Sequence, residues 1–338
     1  MVTIRQVAAN AGVSVMTVSK AMNDAPDISV KTKARIRALA DSMGYRTNPV
    51  ARALRVKSTA TIGVILPSLA DEHMASVASE LCQQIGGRNF KVVVEQSLSK
   101  PELETAAVRR LLDMRVDGII LCSCPRLSRF HEIFEMASAH HVPMALIDRY
   151  PPNAPGMNIP FVVTDDRLGG QMATRHLLDF GHRDILFLSG PSGVSSSEER
   201  KEGYRKAMIE AGCPDVDRFI FSAGFDVAAG KSAMLQALDE GITFSAVFAV
   251  NDFVAIGACE VLSAQKIPVP GEISVVGYGD LKAGEYYKVP LTTIHQPRAD
   301  MAHAAVSLLW GQFEKQTVEI RRLPVELITR SSSSKAVS

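Results

Sequence analysis

Long apolar runs are missing from this 338-residue sequence. No stretch approaches the ~18 consecutive apolar residues that a membrane-spanning helix requires, which argues against a transmembrane protein. The first residues, from Met1 to Ala8, also lack the long apolar segment of a signal peptide. We therefore expect the protein to remain in the cytoplasm.

Cysteine is scarce as well. The five cysteines are an odd number at irregular positions, which in a cytoplasmic chain indicates reduced, mostly buried thiols. Cys122 and Cys124 are separated by one serine, a spacing that raises the question of a metal site. They follow an apolar run, however, and no second Cys or His pair is spaced to complete such a site. We predict no metal and no cofactor.

Charge is distributed unevenly along the chain. Residues 1–57 hold ten Lys or Arg and three Asp, a net charge of +7, which leaves a net charge of −6 for the remainder. A basic amino-terminal segment attached to a mildly acidic body is suited to binding phosphates through one end. A basic segment can also be merely solvated, so the charge alone does not decide the function.

The local pattern of this segment predicts three short helices. Thr3 can cap a first helix with an apolar face, and Gly12 suits the turn that follows it. Ser14 can cap a second helix that runs to about Met22, and a third is expected from Ser29 to Met43. Two short helices joined by a glycine-containing turn of three to four residues form a helix-turn-helix, whose second helix enters the major groove of DNA.

These residues closely resemble the DNA-binding head of the lactose-repressor/galactose-repressor (LacI/GalR) family. The similarity is dense and ungapped over about 55 residues. The segments that carry it are 3–8 (TIRQVA), 11–14 (AGVS), 17–23 (TVSKAMN), 44–45 (GY) and 48–55 (NPVARALR).

The resemblance implies a head over residues 1–46 and a hinge helix with its linker over residues 47–59. Val15, Met16 and Lys20 would lie where the family reads bases. The hinge would enter the minor groove with Leu54 as an apolar wedge and Ala51 beside it. The other implied DNA-contacting residues are Thr3, Ser14, Thr17, Ser19, Asn23, Ser29, Tyr45, Asn48, Arg52 and Arg55, most of them placed to hold phosphates.

From Thr61 onward, short apolar runs alternate with amphipathic helical stretches. Predicted strands cover residues 62–66, 91–95, 118–122, 143–147, 161–164, 185–189, 246–249 and 274–278. Alternation of this kind predicts an α/β fold of parallel sheets covered by helices on both faces. We expect two lobes, one from residues 60–160 and 292–320 and one from residues 161–290 and 321–332, followed by a disordered tail at 333–338.

This body resembles the periplasmic-binding-protein-like core of the same family, in which a ligand binds between the lobes at the carboxyl ends of the strands. The resemblance implies an effector site, with Phe225 stacking on a sugar face. The implied effector-binding residues are Asp71, Asp148, Arg149, Arg200, Phe225, Asn251, Asp252, Asp280 and Gln296.

Several of these residues have a structural alternative. Asp148 could cap a loop, Asn251 or Asp252 could cap the helix that follows, and Arg200 could form a surface ion pair. We interpret Asp165 and Asp166 as helix-start residues.

Two departures from the family pattern bear on the ligand. The segment after the first strand reads Asp71-Glu-His-Met74 where the family usually has an aromatic, apolar segment. Gly279 stands where many sugar binders have an aspartate, although Asp280 could swing in. Removing a carboxylate from a pocket that keeps Arg149 and Arg200 makes an anionic ligand more acceptable. The effector is expected to be a sugar, a sugar acid or a sugar phosphate.

Three other functions fit less well. A catalytic triad could be drawn on paper from Asp148, Ser189 and either His182 or His295, but the sequence has no nucleophile-elbow or phosphate-loop motif. A periplasmic transport receptor would not carry the basic head. A purely architectural DNA binder would not need the polar cleft positions.

We therefore predict a transcription regulator, most simply a repressor, that is not an enzyme. It should bind a near-palindromic double-stranded operator as a homodimer. The serine-rich carboxyl-terminal segment, residues 331–338, lacks the leucine heptads that join two dimers in some family members.

Overall fold

The computed structural model describes residues 2–45, 58–124, 127–151, 159–213 and 215–336. The chain divides into two compact units, Met1–Ala60 and Thr61–Ser338. The hinge residues predicted to contact DNA, namely Asn48, Ala51, Arg52, Leu54 and Arg55, lie outside the described residues. None of the described helices is long and apolar enough to cross a membrane.

The first unit, called the head below, is built from the predicted helices. They are α1 (Ile4–Ala11), α2 (Val15–Met22) and α3 (Val30–Ser42). Thr3 and Gln6 form a capping box at the start of α1, and Gly12 ends that helix in the left-handed region at φ +65°. The side-chain oxygens of Ser14 and Ser29 accept the backbone N–H of Thr17 and Thr32.

A small apolar core joins the three helices of the head. Val7 and Ala8 of α1 pack against buried residues of the other two helices. The remaining members of this core are Val18, Ala21, Ile36 and Ala40. Each lies on the helix face that the hydrophobic periodicity predicts to be buried.

The second unit begins at β1 and contains the remaining elements in alternation. Its strands are β1 (Thr61–Leu66), β2 (Lys91–Gln96), β3 (Gly118–Leu121), β4 (Met144–Ile147), β5 (Phe161–Thr164), β6 (Ile185–Ser189), β7 (Ile220–Ser222), β8 (Ala246–Ala249), β9 (Ser274–Val276), β10 (Thr293–His295), β11 (Ile320–Leu323) and β12 (Glu326–Ile328). Its helices are α4 (Glu72–Gly86), α5 (Pro101–Asp113), α6 (Leu127–Ala139), α7 (Asp166–Asp179), α8 (Ser195–Glu210), α9 (Val227–Asp239), α10 (Asp252–Ala264), α11 (Lys282–Glu285) and α12 (Arg298–Phe313).

The strands form two parallel sheets, each of which defines a lobe. The first lobe has the order β11-β5-β4-β3-β1-β2, with α4 and α12 on one face and α5 and α6 on the other. The second lobe has the order β7-β6-β8-β9, with α9 and α10 on one face and α7 and α8 on the other. β10 and β12 form an antiparallel pair beside the second sheet. This is the predicted α/β architecture.

The predicted lobe boundaries are wrong in three places. β5 pairs with β4 through Leu146 and Phe161, so the first lobe runs on to Thr164 and does not end at residue 160. β11 pairs with β5, which moves residues 321–323 into the first lobe. The chain returns to the first lobe after His295 and not at residue 292, because Val276 bridges Thr292 and Gly279 bridges His295.

The tail predicted to be disordered is instead bonded to the second lobe over residues 333–336. The Ser333 hydroxyl lies 2.8 Å from His176 Nε2, and Ser334 N donates to Ser274 Oγ at 3.0 Å. Ala336 N donates to Phe180 O at 2.8 Å. The prediction of disorder rested on the serine-rich composition. It was wrong because the hydroxyl and backbone groups of these residues form hydrogen bonds with the second lobe and not with water.

Close contact between α7 and α8 brings the second lobe's charged groups to the cleft. A Cβ on Gly203 of α8 would overlap the backbone oxygen of Arg167, and one on Gly170 of α7 would overlap that of Arg200. Only glycine allows the two backbones this approach. The approach places Asp166, at the start of α7, within hydrogen-bond reach of the Arg200 side chain.

Candidate DNA-contacting surface and ligand cleft

The outward face of α2 is the candidate DNA-contacting surface of the head. Val15 is 41% and Met16 is 64% exposed, whereas Val18 and Ala21 are fully buried. An exposed methionine at the start of a helix has no packing role in the head, which fits the predicted contact with base edges.

Polar residues around α2 have local structural roles. Ser14 caps the helix, and its hydroxyl lies 2.9 Å from that of Thr17. Asn23 Nδ2 donates to Ser19 O at 2.6 Å. These bonds hold the side chains on the outer side of the helix, so a structural role and the predicted phosphate contact are compatible.

Lys20 forms an ion pair with Asp27. The hydrogen bond from Lys20 lowers the pKa of Asp27, so this carboxylate is charged at neutral pH. Lys20 therefore has a competing partner within the head. Among the other predicted residues, Thr3 and Ser29 act as caps, and half-buried Tyr45 packs against the helical core and donates its N–H to Ala40 O at 2.8 Å.

A cavity lies between the two lobes of the second unit, at the carboxyl ends of β1, β4 and β8. Its enclosed volume is about 30 Å³, enough for one or two water molecules. Its lining residues are Asp71, His73, Met74, Asp148, Arg149, Ser196, Arg200, Phe225, Asn251, Tyr278, Gly279, Leu281 and Gln296. A second cavity of about 640 Å³ lies beside it and shares Asp71, Arg149 and Phe225 with it.

Asp148 directly follows β4 and is the most strongly engaged carboxylate of the cavity. His73 Nε2 lies 2.9 Å from its Oδ1, and His73 Nδ1 accepts a hydrogen bond from Arg298 at 3.2 Å. Burial alone would raise the pKa of Asp148, but the His73 hydrogen bond and the charges of His73, Arg149 and Arg200 hold it well below its ordinary value. Asp148 is therefore ionised. The partners of its carboxylate among the described residues are side chains and not backbone N–H groups, so the loop-cap alternative does not describe it.

Arg149 forms the wall between the two cavities. Its guanidinium carbon lies 5.0 Å from the centre of the Phe225 ring, a cation–π contact across the lobes. Its Nε is 3.5 Å from Asp148 Oδ2, and this buried atom has no hydrogen-bond partner in the described part of the chain. The aromatic ring predicted to stack on a sugar is thus covered by an arginine in this structure.

Arg200 is held by the second lobe itself. Its Nε donates to Asp166 Oδ1 at 2.8 Å, and its Nη1 donates to Val250 O at 2.7 Å. The guanidinium carbon is 3.6 Å from the centre of the Tyr278 ring. The surface-ion-pair alternative is wrong, because Arg200 and Asp166 are both buried. Asp166 is also more than a helix-start residue, whereas Asp165 does cap α7.

Asn251 and Gln296 both line the cavity. Asn251 caps α10 through Val254 N at 2.8 Å and donates to Phe225 O at 2.8 Å. It therefore fits the capping alternative and the cavity prediction together, and it fixes the loop that carries Phe225. Gln296 donates to Thr164 Oγ1 at 3.1 Å, where the chain passes between the lobes.

Two predicted effector-binding residues, Asp252 and Asp280, are not among the residues that line the cavity. Asp252 is fully buried and accepts hydrogen bonds from Leu281 N at 2.7 Å and Thr293 Oγ1 at 2.6 Å. Burial raises its pKa to about 6. Asp280 does not swing in, because Arg330 and His295 hold its carboxylate at 2.6 Å and 2.9 Å. Both aspartates fix the loop around Gly279.

Sequence reasoning missed His73, Met74, Ser196, Tyr278, Gly279 and Leu281 as lining residues. The signals were present for some of them. His73 and Met74 belong to the segment that departs from the family pattern, and Tyr278 and Gly279 belong to the motif after β9. No local pattern marks Ser196 or Leu281.

The described part of the chain contains no cluster of three or more His, Cys, Asp or Glu side chains that could hold a metal ion. Cys122 and Cys124 are buried, and burial raises the pKa of both thiols, to about 12 for Cys124. Cys122 Sγ lies 3.8 Å from Asp148 Oδ2, where it packs behind the cavity.

Comparison with known proteins gives consistent relatives for both units. Residues 3–48 match the family described as bacterial regulatory proteins, lacI family, and residues 174–333 match the periplasmic binding protein-like domain. The HTH-type transcriptional regulator GalR of Escherichia coli (strain K12) is 32% identical over 310 residues, which are 91% of this chain and 88% of that protein. The ribose operon repressor of the same strain is 28% identical over 334 residues, or 99% and 100% of the two chains.

A solved structure extends this similarity to three dimensions. The lac repressor dimer bound to operator and the anti-inducer ONPF has a TM-score of 0.88 and 29% sequence identity, covering 98% of this chain and 99% of that one.

Proposed function

The chain belongs to the lacI family of bacterial regulatory proteins, and we propose that it is a sequence-specific repressor whose operator affinity is controlled by a small carbohydrate-type effector bound between its lobes. One observation carries the proposal. The same chain holds a capped helix-turn-helix with an apolar, basic outer face and a polar cleft that contains an aromatic ring.

The head supports recognition of double-stranded DNA. Val15, Met16 and Lys20 are proposed to read bases from the major groove, with Thr3, Ser14, Thr17, Ser19, Asn23, Ser29 and Tyr45 around them as positioning contacts. The predicted minor-groove contacts of Asn48, Ala51, Arg52, Leu54 and Arg55 complete the proposal.

The cleft supports binding of a polyhydroxylated ligand. Asp148 lies on the first lobe, and Arg200, Asn251 and Phe225 lie on the second. Planar donor and acceptor groups suit vicinal hydroxyls, and an aromatic ring suits the apolar face of a sugar. Because the lobes enclose only about 30 Å³ in this structure, a sugar needs the cleft to open or Arg149 to leave the Phe225 ring. This requirement links occupancy to the relative position of the lobes.

A homodimer is the proposed assembly, supported by the dimeric lac repressor among the similar structures. One head covers only a half-site, and two heads related by a twofold axis require a near-palindromic operator. A repressor of this kind works where the chromosome is, which in a bacterium is the cytoplasm. Binding and release of a ligand, with no catalysis, suffice for this function.

The test begins with selection of preferred DNA from a random pool, using the full chain. We expect a near-palindromic site whose affinity falls steeply between 50 and 200 mM salt, because several phosphates are neutralised. Lys20→Ala should weaken this site and relax its sequence preference. Lys31→Ala, which removes the same charge from an exposed position on α3, should keep the preference. Binding without any sequence preference would refute the proposed function.

A further inference from the structure

Arg149 has unused hydrogen-bonding capacity inside the cleft. The residue is only 7% exposed, yet its buried Nε has no hydrogen-bond partner among the residues that the structure describes. Arg200 faces the same cavity, but donates to both Asp166 and Val250 O. A guanidinium carries five N–H donors in a fixed fork, and burying such donors without acceptors is costly. The cleft therefore holds an arginine whose Nε donor is unused, although its charge is paired with Asp148 at 3.5 Å.

The start of α8 adds more donors next to this arginine. Val194 precedes the helix and provides no side-chain cap, so the first N–H groups of a 16-residue helix are not satisfied by a capping side chain. Ser196 lines the cavity. Ser197, the next residue, is not among the lining residues, but it is 1% exposed and its buried hydroxyl has no partner among the described residues. The positive end of the α8 helix dipole also lies at this amino-terminal end, next to Arg149.

Two contacts bring these donors together. Tyr150, the residue after Arg149, donates its backbone N–H to Ser195 Oγ at 3.1 Å, which ties the end of β4 to the start of α8. A Cβ on Gly190 would overlap Ser197 Oγ and lie 3.0 Å from Phe225 Cε1, so the Ser197 hydroxyl is beside the ring that Arg149 covers.

The carboxylates nearby are already engaged. Asp148 is bonded to His73 and paired with Arg149, and Asp166 is bonded to Arg200. Glu198 accepts Gly193 N at 3.2 Å and pairs with Lys201, and Glu199 is held by Arg322 at 2.6 Å. The unpaired polar groups around Arg149 and the start of α8 are thus hydrogen-bond donors, which a ligand group rich in acceptors would satisfy.

We propose that Arg149, the hydroxyls of Ser196 and Ser197 and the amino-terminal N–H groups of α8 form a seat for an oxyanion, so that the effector is a sugar bearing a carboxylate or a phosphate. The inference rests on the proposed function of the cleft as an effector site. The sugar ring would extend from the seat toward the outer cavity of about 640 Å³, which shares Arg149 and Phe225 with the inner one.

The first experiment compares matched ligands on the full chain by thermal melting and calorimetry. The neutral probes are D-glucose and D-galactose, and the charged probes are D-gluconate, D-galacturonate and D-glucose 6-phosphate. Inorganic phosphate alone tests the seat without a sugar. We expect charged probes to raise the melting temperature and neutral ones to bind at least about tenfold more weakly, the factor that corresponds to one lost charge-assisted hydrogen bond. Carboxylate and phosphate probes distinguish the two kinds of anion.

The second experiment removes the seat. Arg149→Gln should weaken the best charged probe by about tenfold or more and leave a neutral sugar unaffected, and Ser197→Ala should cause a smaller loss in the same direction. Arg175→Gln is the matched control, because it removes the same charge from an exposed ion pair on α7 and should change neither affinity. If Arg149→Gln fails to fold, Ser197→Ala and Arg149→Lys, which keeps the charge but loses the fork, provide the same comparison.

The outcomes separate the two ideas. Neutral sugars that bind more tightly than the charged probes overturn the oxyanion seat and leave the proposed function standing. A chain that binds its selected operator while no probe, including inorganic phosphate, changes its melting temperature also overturns the seat. A chain that binds neither a ligand nor a preferred DNA sequence contradicts the proposed function itself.

Discussion

The head and the cleft present their binding groups in opposite ways. On α2, Met16 is 64% exposed and the polar residues around it are bonded to partners three to seven positions away. In the cleft, Asp148 and Arg200 are nearly buried and bonded to partners 75 and 34 residues distant. The DNA-contacting surface is therefore a local property of one helix, whereas the cleft depends on packing between distant segments. Substitutions should damage the two by different routes.

The largest expected effect comes from Arg200→Ala. The substitution would leave Asp166 buried without its guanidinium and Val250 O without a donor. Removing one partner of a buried ion pair typically costs about 3–5 kcal/mol of unfolding free energy. Urea denaturation followed by circular dichroism measures this loss.

Arg175→Ala serves as the control for Arg200→Ala. It breaks an exposed pair with Glu210 between the same two helices, and exposed pairs contribute little to stability. Equal losses for the two variants would contradict the view that the cleft arginine is also part of the lobe's core.

Most of the head and the order of its elements could be predicted from the sequence, because the signals are local. Thr3 and Ser14 cap the helices that they were expected to cap, the third helix begins after Ser29 as predicted, and Gly12 adopts the left-handed turn. The predicted strands of the second unit agree with the structure within two residues at either end. β7, β10, β11 and β12 were missed, because they are only three or four residues long and all but β10 contain exposed residues.

The cleft was only partly predictable, because its chemistry depends on long-range partners. Asn251 and Asp252 are consecutive residues, but Asn251 lines the cavity, whereas the Asp252 carboxylate lies outside it and accepts a hydrogen bond from Thr293. Asp280 is engaged by Arg330, fifty positions away. No pattern along the chain indicates these pairings.

Ile36→Ala is expected to disrupt the head selectively. Ile36 is fully buried in a core that contains few other side chains. Truncating a buried isoleucine to alanine costs about 2–5 kcal/mol, a large part of the stability of so small a unit. Operator binding should be lost at 37 °C, while ligand binding and the melting of the second unit remain.

Val30→Ala provides the comparison for Ile36→Ala, since Val30 is 82% exposed on the same helix and should tolerate the change. If Ile36→Ala also lowered the melting temperature of the second unit, the two regions would not be independent in stability.

The raised pKa of Asp252 gives the second unit a distinctive pH dependence. Its pKa is about 6 in the folded chain against an ordinary value of 3.8, mainly because of burial. The folded state therefore binds the proton more tightly than the unfolded state. The cost of burying the charge is complete above pH 6 and disappears as the pH falls toward 4, so this group favours folding at the acidic end.

Asp252→Asn should remove that dependence. The difference in unfolding free energy between the parent and the variant should change by on the order of 2 kcal/mol between pH 4 and pH 7, with the variant gaining relative stability at the higher pH. Taking the difference cancels the contributions of Glu104 and Asp166, two other buried acids whose pKa values burial raises. A difference that stays constant over this range would contradict the assignment.

The smallest expected effect concerns the surface of the head. Asp27 pairs with Lys20, so DNA phosphates or bases must compete with this carboxylate for the lysine. Asp27→Asn weakens the pair and removes a charge that repels DNA, which should raise operator affinity a few-fold at low salt with almost no change in stability. Asp41→Asn removes an equal charge from an exposed position on α3. A gain confined to Asp27→Asn and abolished by Lys20→Ala, measured by fluorescence anisotropy, would assign the effect to the Lys20 pair. Equal gains in affinity for both aspartate variants would instead show that the effect comes from the net charge of the head.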